Sequence, residues 1–118
     1  MSTYSYQNLI VWQKSMDLVV SAYEVAKKLP KSEMFVLCDQ MKRCAVSIPS
    51  NIAEGQKRLN HKETIQFTGI ALGSVAELET QLILCNRIYK IDVKYELGLC
   101  VEVGKMATAL VRKLRSEI

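Results

Sequence analysis

A proline in the middle of a helical pattern is the feature that most restricts how this chain can fold. Pro49 lies within the stretch RCAVSIPSNIAEGQKR, which spans residues 43–58. Proline has no backbone N–H to donate, and its ring presses on the carbonyl group four residues earlier, here that of Ala45. The apolar residues nevertheless keep one helical phase across it; they are Met34, Leu37, Cys38, Met41, Ala45, Ile48 and Ile52. One kinked helix is therefore predicted, rather than two separate helices.

The same apolar periodicity predicts a helix before the kinked one. The first helix should run from about Asn8 to Leu29, where Pro30 ends it. Ser32 is then predicted to cap the second, kinked helix, with Glu33 in its first turn, where the helix dipole favours a carboxylate. That second helix should run to about residue 58.

Two further helices follow it. Asn60 and Glu63 have the spacing of a capping box at the start of a third helix, which should extend to about Tyr89. Asp92 is predicted to cap the fourth helix. Short connections force consecutive helices to run in opposite directions. We therefore predict an all-α, up-down-up-down four-helix bundle with a proline-kinked second helix, formed by a single domain over residues 8–118 behind a flexible arm of residues 1–7.

Composition is that of an ordinary globular domain, with 49% hydrophobic and 24% charged residues. The net charge of +4 permits an anionic partner but does not require one. The N-terminal sequence lacks the pattern of a signal peptide. The four cysteines lie among apolar neighbours, which favours free thiols in a reducing cytoplasm over two disulfides; they are Cys38, Cys44, Cys85 and Cys100.

The third helix is unusually poor in charge, since Glu77 and Glu79 are the only charged residues between Thr64 and Asn86. A helix without a polar face is expected to be buried on most sides. A transmembrane span is the alternative, but the two glutamates and two glutamines make it costly. We expect this helix, or the one beside it, to pack against another subunit through a face of mostly small residues, namely Phe67, Gly69, Ile70, Gly73 and Ala76.

A polar stripe lies opposite the apolar stripe of the kinked helix. We expect it to form a polar seam, between helices or between subunits, to which the third helix adds its two glutamates; the seam residues are Arg43, Ser47, Asn51, Glu54, Glu77 and Glu79. One of the two glutamates on the third helix is expected to be largely buried. A buried carboxylate needs a partner, and Arg43 or Asn51 is the candidate.

No catalytic residue, metal or cofactor is predicted. His61 is the only histidine, and nothing near it in the sequence would orient it for catalysis. The cysteine spacings do not match zinc ligands. Glu77 and Glu79 are two residues apart, so on a helix they point to different sides and cannot act as a catalytic pair by themselves.

Positive charge gathers at both ends of the predicted bundle. Most cations lie in the last turn of a helix, where they complement its dipole, but Lys31, Lys62 and Lys94 lie near helix starts, where the dipole does not explain them. A ring-like homo-oligomer would turn each end into a ring of charge that attracts phosphate backbones without reading sequence. The candidate nucleic-acid-binding residues are Lys57, Arg58, Lys62, Lys31, Lys94, Arg112 and Arg115.

A merely solvated surface explains these cations equally well. Aromatic residues that could stack on bases are few near the ends, and they are Tyr4, Tyr6, Tyr89 and Tyr95. The sequence therefore gives only weak support for base recognition.

The stretch RCAVSIPSNIAEGQKR, followed by FTGIALGSVAELETQL, resembles the bacterial four-helix-bundle protein family encoded in intervening sequences of 23S ribosomal RNA genes. The stretches LIVWQKSMDLVVSAY and LPKSEMFVLCDQMKR resemble it as well. This chain departs from the family pattern at Cys44, where alanine is usual, and at Leu72, where a polar or basic residue is common. An apolar residue at position 72 weakens the case that the face of the third helix carrying Leu72 binds nucleic acid.

The resemblance implies a homopentameric barrel of four-helix bundles with no known catalytic activity. It also implies a distant kinship to the accessory variability protein of diversity-generating retroelements, a basic pentamer that works with a reverse transcriptase and nucleic acid. We therefore predict a non-enzymatic, cytoplasmic homo-oligomer, a pentamer, that binds RNA or DNA through its basic ends and has no membrane partner. The alternative is a protein-interaction scaffold or an accessory subunit for a reverse transcriptase.

Overall fold

The computed structural model describes residues 5–118 and contains four α-helices and no strand within them. The helices are α1 (Ile10–Lys27), α2 (Leu37–Gln56), α3 (His61–Tyr89) and α4 (Lys94–Ser116). Helix α1 packs beside α2 and α4, and α3 packs beside the same two helices. The result is a bundle measuring 48 × 25 × 20 Å. The predicted all-α four-helix bundle is confirmed.

The core is built from one apolar stripe of each helix. Its largest fully buried side chains include Leu18, Met41, Ile48, Leu78 and Val103. Removing a side chain of this size from water contributes about 1.5–3 kcal/mol. This core holds the four helices together, because most of the stability of a helix in a protein comes from packing of its apolar face.

Helix α2 passes through Pro49 without a break, as predicted. Pro49 is itself buried, and polar side chains on either side of it bond to backbone carbonyl groups of the same helix. The amide nitrogen of Asn51 donates to the carbonyl oxygen of Ser47 at 2.8 Å. The hydroxyl of Ser47 lies 2.7 Å from the carbonyl oxygen of Cys44.

The start of α2 differs from the sequence-based prediction. Ser32 does not cap it, since Lys31–Glu33 form a 3-10 turn and α2 begins only at Leu37. Glu33 accepts a hydrogen bond from the hydroxyl of Tyr89 at the end of α3 instead of lying in the first turn of α2. The prediction was wrong because a tertiary contact holds the carboxylate that the local pattern assigned to a helix start.

The other predicted caps behave largely as expected. The side-chain oxygen of Asn60 accepts from the backbone N–H of Glu63 at 2.9 Å, and its amide nitrogen donates to the Glu63 carboxylate at 2.5 Å. The carboxylate of Asp92 accepts from the backbone N–H of Lys94 at 3.0 Å, one residue ahead of the formal cap position Val93. The starts of α3 and α4 are therefore stabilised by the two residues that the sequence predicted as caps.

The chain before α1 is only partly described. Residues 1–4 of the predicted arm, including the candidate stacking residue Tyr4, lie outside the described residues. Tyr6–Asn8 form a 3-10 turn, and the ring of Tyr6 meets the ring of Trp12 edge-on, with centroids 5.4 Å apart. In the described part of the chain, no helix is both long enough and apolar enough to cross a membrane.

Candidate nucleic-acid interface

The helix directions place the candidate cations at the two ends of the bundle. One end, here called the turn end, contains the α1–α2 and α3–α4 connections and carries Lys31 and Lys94. The other, here called the tail end, contains the α2–α3 connection and the last turns of α4; its candidates are Lys57, Arg58, Lys62, Arg112 and Arg115. All seven side chains are exposed.

Carboxylates at the tail end are already engaged. Glu54 pairs with Arg58 at 2.7 Å, Glu117 pairs with His61 at 3.0 Å, and Glu63 is held by the Asn60 cap. The remaining tail-end candidates form no ion pair within residues 5–118; they are Lys57, Lys62, Arg112 and Arg115. The tail end therefore presents cations whose charge is not locally neutralised.

Arg58 is the candidate whose position is best defined. Its guanidinium lies 4.5 Å above the centre of the Phe67 ring, in addition to its ion pair with Glu54. Stacking on an aromatic face and pairing with a carboxylate both suit a planar guanidinium. Phe67, which the sequence assigned to subunit packing, is half-buried beneath this arginine in the single chain.

A cavity of about 340 Å³ opens at the tail end between the start of α3 and the last turns of α4. Its lining includes Arg58, His61, Thr64 and Lys113. The first backbone N–H groups of α3 lie at this position, where the helix dipole favours negative charge. His61 and Lys113 thus extend the candidate surface beyond the residues chosen from the sequence.

The turn end combines cations with exposed apolar side chains. Met34, Phe35 and Val36 are all exposed in the α1–α2 connection, and Phe35 retains 86% of its full exposure. Met34 was expected on the apolar stripe of the kinked helix. That expectation is wrong because α2 starts three residues later, which leaves Met34 outside the helix.

The polar seam forms in part. Ser47 and Asn51 are half-buried, and the hydroxyl of Ser47 lies 2.6 Å from that of Ser74 on α3. The thiol of Cys44 donates to the carbonyl oxygen of Ser74 at 3.0 Å. At this level the seam runs between α2 and α3 and links the two helices by hydrogen bonds.

The expected buried carboxylate is a different residue. Glu77 is exposed, Glu79 is half-buried, and Arg43 pairs with Asp39 on its own helix at 3.0 Å. The pairing of Arg43 with a buried glutamate on α3 is therefore wrong, because Arg43 lies on the exposed side of α2.

Glu96, in the first turn of α4, is the carboxylate that the fold buries. Its side chain accepts a hydrogen bond from the hydroxyl of Ser21 on α1. It also lies where the α4 dipole favours negative charge. Its burial follows from how α4 packs against α1, which the local sequence does not show.

The cysteines are suited to the core rather than to chemistry. All four are free thiols, and burial raises the pKa of Cys44 and Cys100 to about 12 and that of Cys85 to about 11. At neutral pH these three thiols are protonated, and a protonated thiol is a poor nucleophile and metal ligand. Within residues 5–118, no three His, Cys, Asp or Glu side chains converge in a way that could hold a metal ion.

The outer face of α3 is open in the single chain. Gly69, Ile70, Gly73 and Ala76 are exposed, and a Cβ atom added to either glycine would meet no atom within 4 Å. Ile83, Leu84 and Ile88 continue this face as exposed apolar residues. We refer to these seven residues as the α3 face.

Comparisons with known proteins agree with this architecture. The family model described as "23S rRNA-intervening sequence protein" matches residues 7–109. Among solved structures, the chain is similar to a protein of unknown function from the S23 ribosomal protein family of Bacteroides thetaiotaomicron, with 25% sequence identity and a TM-score of 0.63. That alignment covers 92% of this chain and 98% of the other. No curated protein matches the chain at a significant level.

Proposed function

The chain belongs to the 23S rRNA-intervening sequence protein family, and from this premise we propose that it is a non-enzymatic, oligomeric helical bundle that binds RNA or DNA through its basic ends. One observation carries the proposal. At the tail end, exposed lysines and arginines form no ion pair within residues 5–118 apart from Arg58, and they outnumber the nearby carboxylates of Glu54, Glu63 and Glu117. Such a surface attracts the phosphate backbone, which supplies most of the affinity in sequence-independent binding.

The cavity at the tail end gives the proposal a defined contact point. Arg58 and Lys113 line it together with the first turn of α3, so a phosphate group seated there would meet cationic side chains at the positive end of the α3 dipole. Glu117 also lines the cavity, where it contacts His61. An arginine already oriented by Phe67 loses little conformational freedom on binding. Its surface ion pair with Glu54 is worth at most about 1 kcal/mol, so a phosphate can compete with that carboxylate.

Assembly into a homopentameric ring is the second part of the proposal. The α3 face offers the apolar and small residues that a subunit contact requires, and contiguous apolar patches of this kind on single chains mark interaction sites. A closed ring would bring five copies of each basic end together. Simultaneous contacts by several copies would then strengthen binding to a continuous strand beyond that of one copy.

We also place the protein in the cytoplasm. Its four free thiols fit a reducing compartment, where disulfides are rare. Nucleic acid is available in that compartment, so the assignment agrees with the proposed binding.

Charge reversal at the tail end tests the nucleic-acid proposal. The variant Lys57→Glu with Lys62→Glu should bind an unstructured generic RNA at least about tenfold more weakly at low salt. Its plot of log affinity against log salt should be shallower by about 1.4, the value for two lost contacts to a single strand. Fluorescence anisotropy between about 50 mM and about 200 mM salt measures both quantities.

The matched control is Lys42→Glu with Lys105→Glu, which makes the same change in net charge on exposed lysines away from the two ends. It should lose much less affinity. An equal loss in both variants would mean that net charge alone drives binding, and absence of binding by the unaltered protein at micromolar concentration and low salt would contradict the proposal. Light scattering should give the same mass for all three proteins.

A protein-interaction scaffold, such as an accessory subunit for a reverse transcriptase, is the second candidate. The α3 face favours it, because an apolar face that does not contact a second copy is free to bind a different protein. A monomeric mass in solution, together with a reverse transcriptase gene beside this one, would support the scaffold. A neighbouring ribosomal RNA gene would favour the first candidate.

A further inference from the structure

We propose that the turn end takes single-stranded nucleic acid and that Phe35 is the residue on which an unpaired base stacks. The inference rests on the proposed function and names the form of nucleic acid that one end of the bundle binds.

Phe35 is the most exposed aromatic residue among those described, with 86% of its surface accessible against 65% for Tyr95. It lies at the centre of three consecutive exposed apolar side chains. Burying an exposed phenylalanine ring is favourable, so this uncovered ring is available to a flat apolar partner.

The backbone that carries this ring is held on both sides. The N–H of Met34 donates to the carbonyl oxygen of Lys31 at 3.0 Å, and the N–H of Val36 donates to that of Glu33 at 3.1 Å. The Glu33 carboxylate is fastened to the hydroxyl of Tyr89 on α3. Just after the connection, the thiol of Cys38 donates to the carbonyl oxygen of Ala26 at 3.4 Å. A ring on a fixed backbone needs little further ordering to bind a partner.

Positive charge surrounds the same contact. Lys31 precedes Glu33 by two residues and Lys90 directly follows Tyr89, so the Glu33–Tyr89 hydrogen bond brings the backbone of these two lysines to one region of the turn end. The carboxylates there are engaged: Glu33 by this hydroxyl and Asp92 by the backbone N–H of Lys94. Both carboxylates keep their charge, but neither forms an ion pair with Lys31 or Lys90, so these lysines are available to phosphate groups.

An exposed aromatic ring beside cations matches the chemistry of single strands rather than of duplexes. Every unpaired base offers a flat face that can stack on an aromatic ring, while cations contact the phosphate backbone. In a duplex the base faces are already covered by their neighbours. A protein partner fits less well, because three apolar residues are small beside the roughly 800 Å² that each side of a stable interface buries.

The test compares strand forms and Phe35 variants in the full chain. The probes are an oligouridine of about 12 nucleotides with a central 2-aminopurine, its DNA counterpart, and the matching duplex. The unaltered protein should bind the single strands more tightly and quench the 2-aminopurine fluorescence by stacking. Phe35→Leu, which keeps an apolar side chain, should weaken single-strand binding about tenfold and remove the quenching, while leaving duplex binding unchanged. Phe35→Trp should retain both.

Tyr23→Leu is the control, because Tyr23 is an exposed aromatic residue with Lys42 Nζ 5.2 Å from its ring but lies within α1, one turn before that helix ends, and not in the α1–α2 connection. It should bind like the unaltered protein. A loss confined to RNA or to DNA identifies that nucleic acid as the ligand and still supports the stacking role.

Single-strand affinity unchanged by Phe35→Leu overturns the inference and leaves the proposed function standing. A changed oligomeric mass for Phe35→Leu also overturns it, because the ring would then be covered by another copy. Absence of binding to every probe at low salt overturns both proposals together.

Discussion

Gly55 shows how one residue determines the packing of two helices. A Cβ atom at this position would come within 3.0 Å of the Cβ of Phe67 and 3.3 Å of the carbonyl oxygen of Thr64. The hydroxyl of Thr64 in turn donates to the carbonyl oxygen of Gly55 at 2.8 Å. The close approach of α2 and α3 therefore requires a residue without a side chain.

The substitution Gly55→Ala should destabilise the fold by about 1–3 kcal/mol, because the added methyl group has no room. Gly73→Ala is the matched control, since its Cβ would meet nothing within 4 Å and alanine favours a helix by about 1 kcal/mol over glycine. Urea denaturation at a concentration where the chain is monomeric measures both. Equal stabilisation by the two changes would contradict the close approach at Gly55.

The buried thiols make stability fall at alkaline pH. Burial raises the pKa of Cys44 and Cys100 to about 12 and that of Cys85 to about 11, from 9.0 in the unfolded chain. Below pH 9 the thiols are protonated in both states, so they do not alter the free energy of unfolding. Above pH 9 the thiols of the unfolded chain release their protons while those of the folded chain keep them. The free energy of unfolding then falls by about 1.4 kcal/mol per thiol for each pH unit, until the folded pKa is reached.

The free energy of unfolding should therefore drop by several kcal/mol between about pH 7.5 and about pH 10. Denaturation under reducing conditions at the two pH values measures this drop. The variant Cys44→Ala with Cys100→Ala should show a clearly smaller one, even if it is less stable at both pH values. An identical drop in both proteins would assign the effect to other titrating groups.

Among the elements, α2 shows how a helix continues through an internal proline. The apolar phase is continuous from Leu37 to Ile52, so the core favours one helix although Pro49 removes a backbone hydrogen bond. The adjacent polar residues then have two roles: Asn51 satisfies a carbonyl group of its own helix, and Ser47 reaches Ser74 on α3. Ser47 and Asn51, which belong to the stretch 43–58 that resembles the family, therefore have a structural role.

A double-mutant cycle tests this link between α2 and α3. Ser47→Ala and Ser74→Ala should each cost about 0.5–1.5 kcal/mol, the usual net contribution of a hydrogen bond. The double variant should lose less than the sum, because the second change removes a partner that is already unpaired. Chemical denaturation gives all three values. Strict additivity would show that the two hydroxyls do not stabilise each other.

On the whole molecule, the surface proposed for subunit assembly and the surfaces proposed for nucleic-acid binding lie in different places. Most of the cations lie at the ends, whereas the α3 face runs along the side of the bundle, where Glu77 and Arg87 are the exposed charged residues of α3 between Gly69 and Ile88. Side-by-side assembly through that face would leave both ends open. The proposed ring and the proposed nucleic-acid contacts are therefore compatible.

The substitution Gly73→Leu should separate these roles. A leucine there has free space in the single chain, so the helical signal should persist, but it would obstruct a subunit packed against the α3 face and reduce the mass in solution. Gly98→Leu on α4 is the control, with equally free space around its Cβ. Light scattering that gives a monomer for the unaltered protein, or an unchanged oligomer for Gly73→Leu, would contradict the α3-face contact.

The sequence by itself determined the four helices, the continuity of α2 through Pro49 and the Asn60–Glu63 capping box. These features were predictable because helical periodicity and capping depend on residues a few positions apart. It also indicated the basic ends, since alternating helix directions follow from short connections.

Only the tertiary structure decided that Gly55 lies where α2 and α3 approach closely, that Glu96 rather than Glu77 or Glu79 is buried, and that Phe35 is uncovered while Glu33 contacts Tyr89. Each of these depends on which residues far apart in the sequence come together. The apolar pattern selects the face of a helix that enters the core. The neighbours across that core, and the side chains left outside it, are set by packing of the helices against one another.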